Sequence, residues 1–219
     1  MAKLNIVGVG PGSADYVTPA ARKIVQKTQL VIGAKRSLNL FSADIKGESV
    51  VLTAKNLNSI LKQAAESIKS GKNVALLSTG DPGFSGLLHT VLESGLFSIS
   101  EIDVVPGVSS IQACAARLNI SWDNTRLFTF HDEVSDEEKE KLISAVKYGR
   151  TILLLPNSRS FTPKDIAGLL IKLGTDKETP VYICENVTLE NEKIMETTLG
   201  KAVGQSFGSL CVMVIKQTA

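Results

Sequence analysis

Three short apolar runs, each closed by a loop of glycine and proline and then a helix signal, constrain this chain more than any other feature. Asn5 to Val9 and Ile102 to Val105 suit strands, and Asn73 to Leu77 is the continuous apolar run expected of a strand covered on both faces. The loops that follow are Gly10-Pro11-Gly12, Ser78-Thr79-Gly80-Asp81-Pro82-Gly83 and Pro106-Gly107-Val108-Ser109-Ser110. Thr18-Pro19 after the first loop reads as an N-cap with proline at the first helical position. Leu57, Ile60, Leu61, Ala64 and Ile68 share one helical stripe with Gly71 as its stop. Leu87, Leu88, Val91 and Leu92 give another helix ending near Gly95, and the third loop opens a helix through Leu118. With Leu30 to Ile32 and Ser49 to Leu52 as further strands, the alternation predicts a parallel sheet with helices packed on it. Ligands in such sheets sit beyond the carboxyl ends of the strands, where all three loops lie.

A second series begins after Asn119 to Arg126, which reads as a connection. Leu127 to Phe130, Thr151 to Leu155, Pro180 to Cys184, Lys193 to Thr198 and Leu210 to Ile215 are strand candidates. Ser135 with Glu138 forms a capping box for a helix that stops at Gly149, and Thr162-Pro163 starts another that stops at Gly174. The expected organisation is two α/β domains, residues 1–122 and 123–219, each of about 100 residues.

The glycine loop after the first strand invites comparison with a dinucleotide fingerprint, and fails it. That fingerprint needs G-x-G-x-x-G and an acidic residue about 20 positions on. Position 13 is Ser13, Pro11 removes a backbone N–H from the cradle, and Leu30 to Ile32 leads into Gly33-Ala34-Lys35-Arg36 without a carboxylate. With 43% hydrophobic and 21% charged residues the chain falls in the ordinary globular class rather than the disordered one. A net charge of +2 from dispersed basic residues gives no block that would mark a nucleic-acid or membrane surface. Cys114, Cys184 and Cys211 are widely spaced and odd in number, which fits reduced core thiols in a cytoplasm and neither a disulfide framework nor a zinc site. The chain enters its first strand without a signal region, which also points to the cytoplasm.

In this order and at these spacings the three loops resemble those of the tetrapyrrole (corrin/porphyrin) methylase family. Val7-Gly8-Val9-Gly10-Pro11-Gly12 with Thr18 matches the family's first loop, Gly80-Asp81-Pro82 its second, and Pro106-Gly107-Val108-Ser109-Ser110 its third. Glu185-Asn186-Val187 matches an acidic turn in the family's second domain. Within the family the likeness is to the stand-alone cobalt-precorrin-7 C(5)-methyltransferases of cobalamin biosynthesis. It is carried by Ile32-Gly33-Ala34-Lys35-Arg36, by Ser109-Ser110-Ile111-Gln112 with Arg117, and by Trp122-Asp123-Asn124 ahead of Phe130-His131. Relatives commonly continue that histidine with Gly-Arg, whereas Asp132 and Glu133 follow it here.

The resemblance implies a tetrapyrrole methylase-like α/β fold with a cofactor cleft between two domains. It implies S-adenosyl-L-methionine as methyl donor, S-adenosyl-L-homocysteine as product, and no metal. Pro11, Thr79, Gly80, Asp81, Phe84, Ser109, Ser110, Pro156 and Val187 would bind the cofactor. The substrate, a corrinoid precursor rich in carboxylates, calls for cations, for which Lys35, Arg36 and Arg117 are the candidates. No general base stands out. His131 either gates the substrate, shuttles a proton, or is a solvated side chain beside Asp132. A homodimer is implied, with hand-over to a separate C-15 methyltransferase/decarboxylase. The competing readings are a family member acting at another macrocycle position, on RNA or on a protein, and a non-catalytic tetrapyrrole or nucleotide sensor.

Overall fold

The computed structural model describes residues 2–130 and 134–216, and His131 lies outside them. The chain forms two compact units, one ending at Ser109 and the other starting at Ser110.

The first unit holds a five-stranded parallel sheet of β1 (Leu4–Gly8), β2 (Leu30–Gly33), β3 (Glu48–Val51), β4 (Val74–Ser78) and β5 (Ile102–Val105), in the order β3-β2-β4-β1-β5. Helices α1 (Pro19–Val25), α2 (Lys35–Leu40), α3 (Leu57–Lys69) and α4 (Leu87–Glu93) connect the strands. Side chains on a strand alternate between its faces, so each central strand feeds two cores. Leu4, Ile6, Leu30, Ile32, Val74 and Leu76 pack with Ile60, Leu61, Ala64 and Ile68 of α3 on one face. Val7, Val31, Ala75 and Leu77 pack with Ala21, Val25 and Phe41 on the other. Burial on both faces explains why β4 reads as an unbroken apolar run. Gly71 closes α3 as anticipated: its φ is +86°, its N–H donates to the Ile68 carbonyl at 2.9 Å, and the Lys72 N–H reaches Ser67 at 3.0 Å. A Cβ there would meet nothing within 4 Å, so backbone conformation alone selects glycine.

One buried charge braces this unit. The Asp44 carboxylate accepts from Arg22 at 2.6 Å and from Gln26 at 2.7 Å, tying α1 to the turn after α2. Burial pushes the Asp44 carboxyl up, but Gln26 and Arg22 outweigh it and hold its pKa below the ordinary value. Because the folded-state pKa is depressed, this stabilisation is complete above the unfolded carboxylate value, about 4, and is lost as pH falls through the folded one. Asp44→Asn is therefore expected to lower stability at neutral pH and to flatten the acid limb of the stability–pH curve. Chemical denaturation of both proteins from about pH 6 to pH 2 checks it; parallel acid limbs would contradict it.

The second unit opens with α5 (Ser110–Arg117) and continues as β6 (Thr125–Thr129), α6 (Asp136–Lys147), β7 (Thr151–Leu155) and α7 (Pro163–Lys172). It ends with β8 (Pro180–Glu185), β9 (Lys193–Thr198), α8 (Leu199–Ala202) and β10 (Cys211–Ile215). The domain boundary read from sequence follows α5, whereas the compact units divide before it. The sheet order is β6-β7-β10-β8-β9; β6 and β7 pair in parallel and the remaining neighbours are antiparallel. The connection from β8 to β9 is too short for a crossover, so this pair forms a hairpin. Both helix starts are as expected: Ser135 with Glu138 at α6, and Thr162 with Asp165 plus Pro163 at α7.

Candidate functional site

Sheet order explains why three loops far apart in sequence meet. β1 lies between β4 and β5, all three run parallel, and their carboxyl ends therefore release neighbouring loops on one edge. The first and second loops are joined by Val9 N–H to the Ser78 carbonyl (3.0 Å) and Gly80 N–H to the Gly10 carbonyl (2.9 Å). The second and third are joined by Asp81, whose Oδ2 accepts from the Gly107 N–H at 3.0 Å while Oδ1 accepts from Gly83 at 2.8 Å.

Glycine makes this junction possible by its lack of bulk. A Cβ on Gly8 would stand 2.5 Å from the Gly107 nitrogen and 2.8 Å from the Gly80 oxygen. One on Gly107 would stand 2.3 Å from the Gly80 oxygen and 2.7 Å from the Gly8 carbonyl carbon. The obstacles are backbone atoms of neighbouring loops, which cannot rotate aside. Around the junction Pro11 and Ser109 are buried, Asp81, Phe84 and Ser110 half-buried, and Thr79 exposed. Ser78, which sequence analysis did not single out, is buried and its Oγ accepts the Leu87 N–H at 3.1 Å, fixing the start of α4 to the end of β4.

The donor set decides what such a junction can hold. Residues 8–13, 78–84 and 106–110 contain no lysine, arginine or histidine and one carboxylate, Asp81. Backbone N–H and carbonyl groups with a single anionic side chain suit a ligand carrying both a cation and a carboxylate better than a pyrophosphate.

The cationic candidates fall in two places. Lys35 and Arg36 form the exposed first turn of α2, which follows β2 on the same edge of the sheet. Two cations at the positive end of a helix gain nothing for the fold, which favours a role outside it. Arg117, in the last turn of α5, instead donates from Nε to Glu192 Oε1 at 2.8 Å. Glu192 was not among the candidates read from the sequence.

In the second unit Pro156 is half-buried just after β7, and Val187 is buried in the turn after β8. Val187 lies between two residues in the left-handed region, Asn186 (φ +52°) and Thr188 (φ +73°). A cavity of about 550 Å³ lined by Val146, Lys147, Leu173, Thr179, Pro180 and Lys216 touches neither; it sits at the opposite end of β8. All three cysteines are buried. The Cys114 thiol donates to Cys184 at 2.9 Å and is pushed up by that contact and by burial; burial pushes Cys211 up to about 12. High thiol pKa values make Cys114 and Cys211 core groups rather than nucleophiles. Among the described residues no group of three His, Cys, Asp or Glu side chains is placed to hold a metal, and no helix is long and apolar enough to cross a membrane.

Comparison with known proteins decides the family. The model of the tetrapyrrole (corrin/porphyrin) methylases matches residues 3–203. The chain belongs to that family. A probable cobalt-precorrin-7 C(5)-methyltransferase of Methanocaldococcus jannaschii is 41% identical to this tetrapyrrole methylase over 96% of each chain. The cobalamin biosynthesis precorrin-6Y methylase (cbiE) of Archaeoglobus fulgidus superposes with a TM-score of 0.72 at 25% identity, covering 99% of both chains. The uroporphyrin-III C-methyl transferase of Thermus thermophilus, solved with S-adenyl homocysteine, superposes at 0.79 with 20% identity over 98% of this chain and 97% of its own, and shares the fold.

Proposed function

We infer that this tetrapyrrole methylase is an S-adenosylmethionine-dependent C-methyltransferase acting on the C-5 meso carbon of cobalt-precorrin-7 in cobalamin biosynthesis. One observation carries the assignment: the near full-length 41% identity to a probable cobalt-precorrin-7 C(5)-methyltransferase. The fused glycine junction, free of cationic side chains, supports the donor. Bound there, S-adenosylmethionine would supply a sulfonium methyl group for direct displacement.

The chain's own residues would bind and align. Pro11 and Gly80 would offer backbone groups to the amino-acid part, and Asp81 would favour its positive end. Ser109 and Ser110 lead into α5, whose N-terminal N–H groups suit a carboxylate. Thr79, Phe84, Pro156 and Val187 would complete the cofactor contacts. A meso carbon in a conjugated enamine-like system is already nucleophilic, so alignment and exclusion of water can provide most of the rate. Lys35 and Arg36 would meet the substrate's carboxylates. Because Arg117 already pairs with Glu192, a direct role with substrate is better supported for the α2 cations. The protein would act in the cytoplasm as a homodimer and pass its product to a separate C-15 enzyme.

Incubation with methyl-labelled S-adenosylmethionine and cobalt-precorrin-7, with and without the metal, tests the assignment. One labelled methyl on C-5 is expected. Binding without transfer would favour a sensor, and label on RNA or protein another family activity. Arg36→Ala is expected to raise the tetrapyrrole KM about 10-fold or more, the value of one charge-assisted hydrogen bond, while donor affinity stays within about twofold. An equal effect on both ligands would make Arg36 a structural residue.

A further inference from the structure

The turn that carries Val187 contains a residue in an unfavourable backbone state, and a carboxylate holds that residue's N–H. Thr188 is β-branched and adopts φ +73°, where side chains other than glycine, asparagine and aspartate are strained. Its N–H donates to Glu192 Oε2 at 2.6 Å. The other carboxylate oxygen, Oε1, accepts from Arg117 Nε at 2.8 Å. Glu192 itself is one-fifth exposed. The rest of the turn is stitched by ordinary backbone bonds: Asn186 N–H to Leu210, Leu189 N–H to Asn186 and Glu192 N–H to Leu189, each 2.9 Å. None of these bonds involves Thr188, whose backbone N–H is taken by Glu192.

The same carboxylate reaches α5, the helix that continues directly from the Ser109-Ser110 loop. Burial pushes the Glu192 carboxyl up, and the Thr188 N–H and Arg117 outweigh it, so it stays ionised with both oxygens available as acceptors.

We propose that Glu192 is a positioning residue for donor binding: it clamps Thr188 in the left-handed conformation, thereby fixes Val187, and uses Arg117 to brace that turn against α5. The inference rests on the proposed role of Val187 in holding the donor. It reassigns Arg117 from a contact with substrate to a partner of Glu192.

The test combines Glu192→Ala, Thr188→Gly and the double variant, with two readouts on the intact protein. The first is amide hydrogen exchange at Thr188 without ligand. Protection in the wild type, and exchange at least about 10-fold faster in Glu192→Ala, are expected. The second is calorimetric titration with S-adenosylhomocysteine, alongside the KM values for both substrates. Glu192→Ala is expected to raise the S-adenosylhomocysteine Kd and the donor KM about 10-fold, with kcat at saturation and the tetrapyrrole KM within about threefold. Glycine adopts φ +73° without help, so Glu192→Ala should cost less than about threefold in the Thr188→Gly background. A purely structural glutamate would lower the folded fraction without this relief. A Thr188 amide that exchanges freely in the wild type, unchanged affinity in folded Glu192→Ala, or an equal loss in both backgrounds would overturn the proposal. Failure of the wild type to bind S-adenosylhomocysteine would overturn the donor reading and this role with it, while the exchange data would still judge the clamp by itself.

Discussion

Gly107→Ala is expected to abolish donor binding and to destabilise the first unit by about 2–4 kcal/mol, at or above the upper end of ordinary overpacking. The added methyl would stand 2.3 Å from the Gly80 oxygen and 2.8 Å from the Gly8 Cα. Both neighbours are main chain at the ends of hydrogen-bonded strands, so relief requires the loops after β1, β4 and β5 to separate. Separation would also break the bond from Gly107 N–H to Asp81. Gly168→Ala is the control: a Cβ within α7 would meet nothing within 4 Å, and alanine there should stabilise by about 1 kcal/mol. Denaturant melts with calorimetric titration of S-adenosylhomocysteine give both numbers. A folded Gly107→Ala protein with unchanged affinity would show that close approach of the loops is not what builds the site.

Asp81→Ala is expected to weaken donor binding about 10-fold or more and to cost about 1–3 kcal/mol of stability, the penalty for leaving the half-buried Gly107 N–H unsatisfied. Asp81 accepts from Gly107 at 3.0 Å and from Gly83 at 2.8 Å, so both oxygens face N–H groups. Asparagine is therefore not a conservative replacement: its amide would turn a donor toward one of those N–H groups, and an intermediate loss is expected. Donor titration and thermal melts of the three proteins check the order wild type, Asn, Ala. Unchanged affinity in a folded Asp81→Ala protein would reduce Asp81 to a turn residue.

The first unit was legible because its signals are local. Apolar runs ending in glycine and proline loops mark buried parallel strands, and Gly71 marks a helix end through a backbone angle that only the chain's own chemistry sets. Asp81 stood out in the sequence as a candidate, but its bond to Gly107 did not, since that bond spans 26 positions and exists only once β4 and β5 flank β1. The second unit was harder. Periodicity identifies strands without their direction, so nothing local distinguished the antiparallel insertion of β10 between β7 and β8. Arg117 and Glu192 are 75 positions apart, and neither carries a motif that would announce the pairing. The boundary after Trp122 followed composition, whereas α5 packs with the second unit because its buried Ile111, Ala113, Cys114 and Ala115 give it an apolar face to cover.

The proposed activity requires the three-loop junction to seat a sulfonium methyl donor. A structure determined after soaking with S-adenosylhomocysteine tests this most directly. Density for the amino-acid part against Pro11, Gly80, Asp81 and Ser109 is the expected result. A junction that stays empty at saturating ligand, or that takes a nicotinamide dinucleotide or nucleoside phosphate in its place, would contradict it.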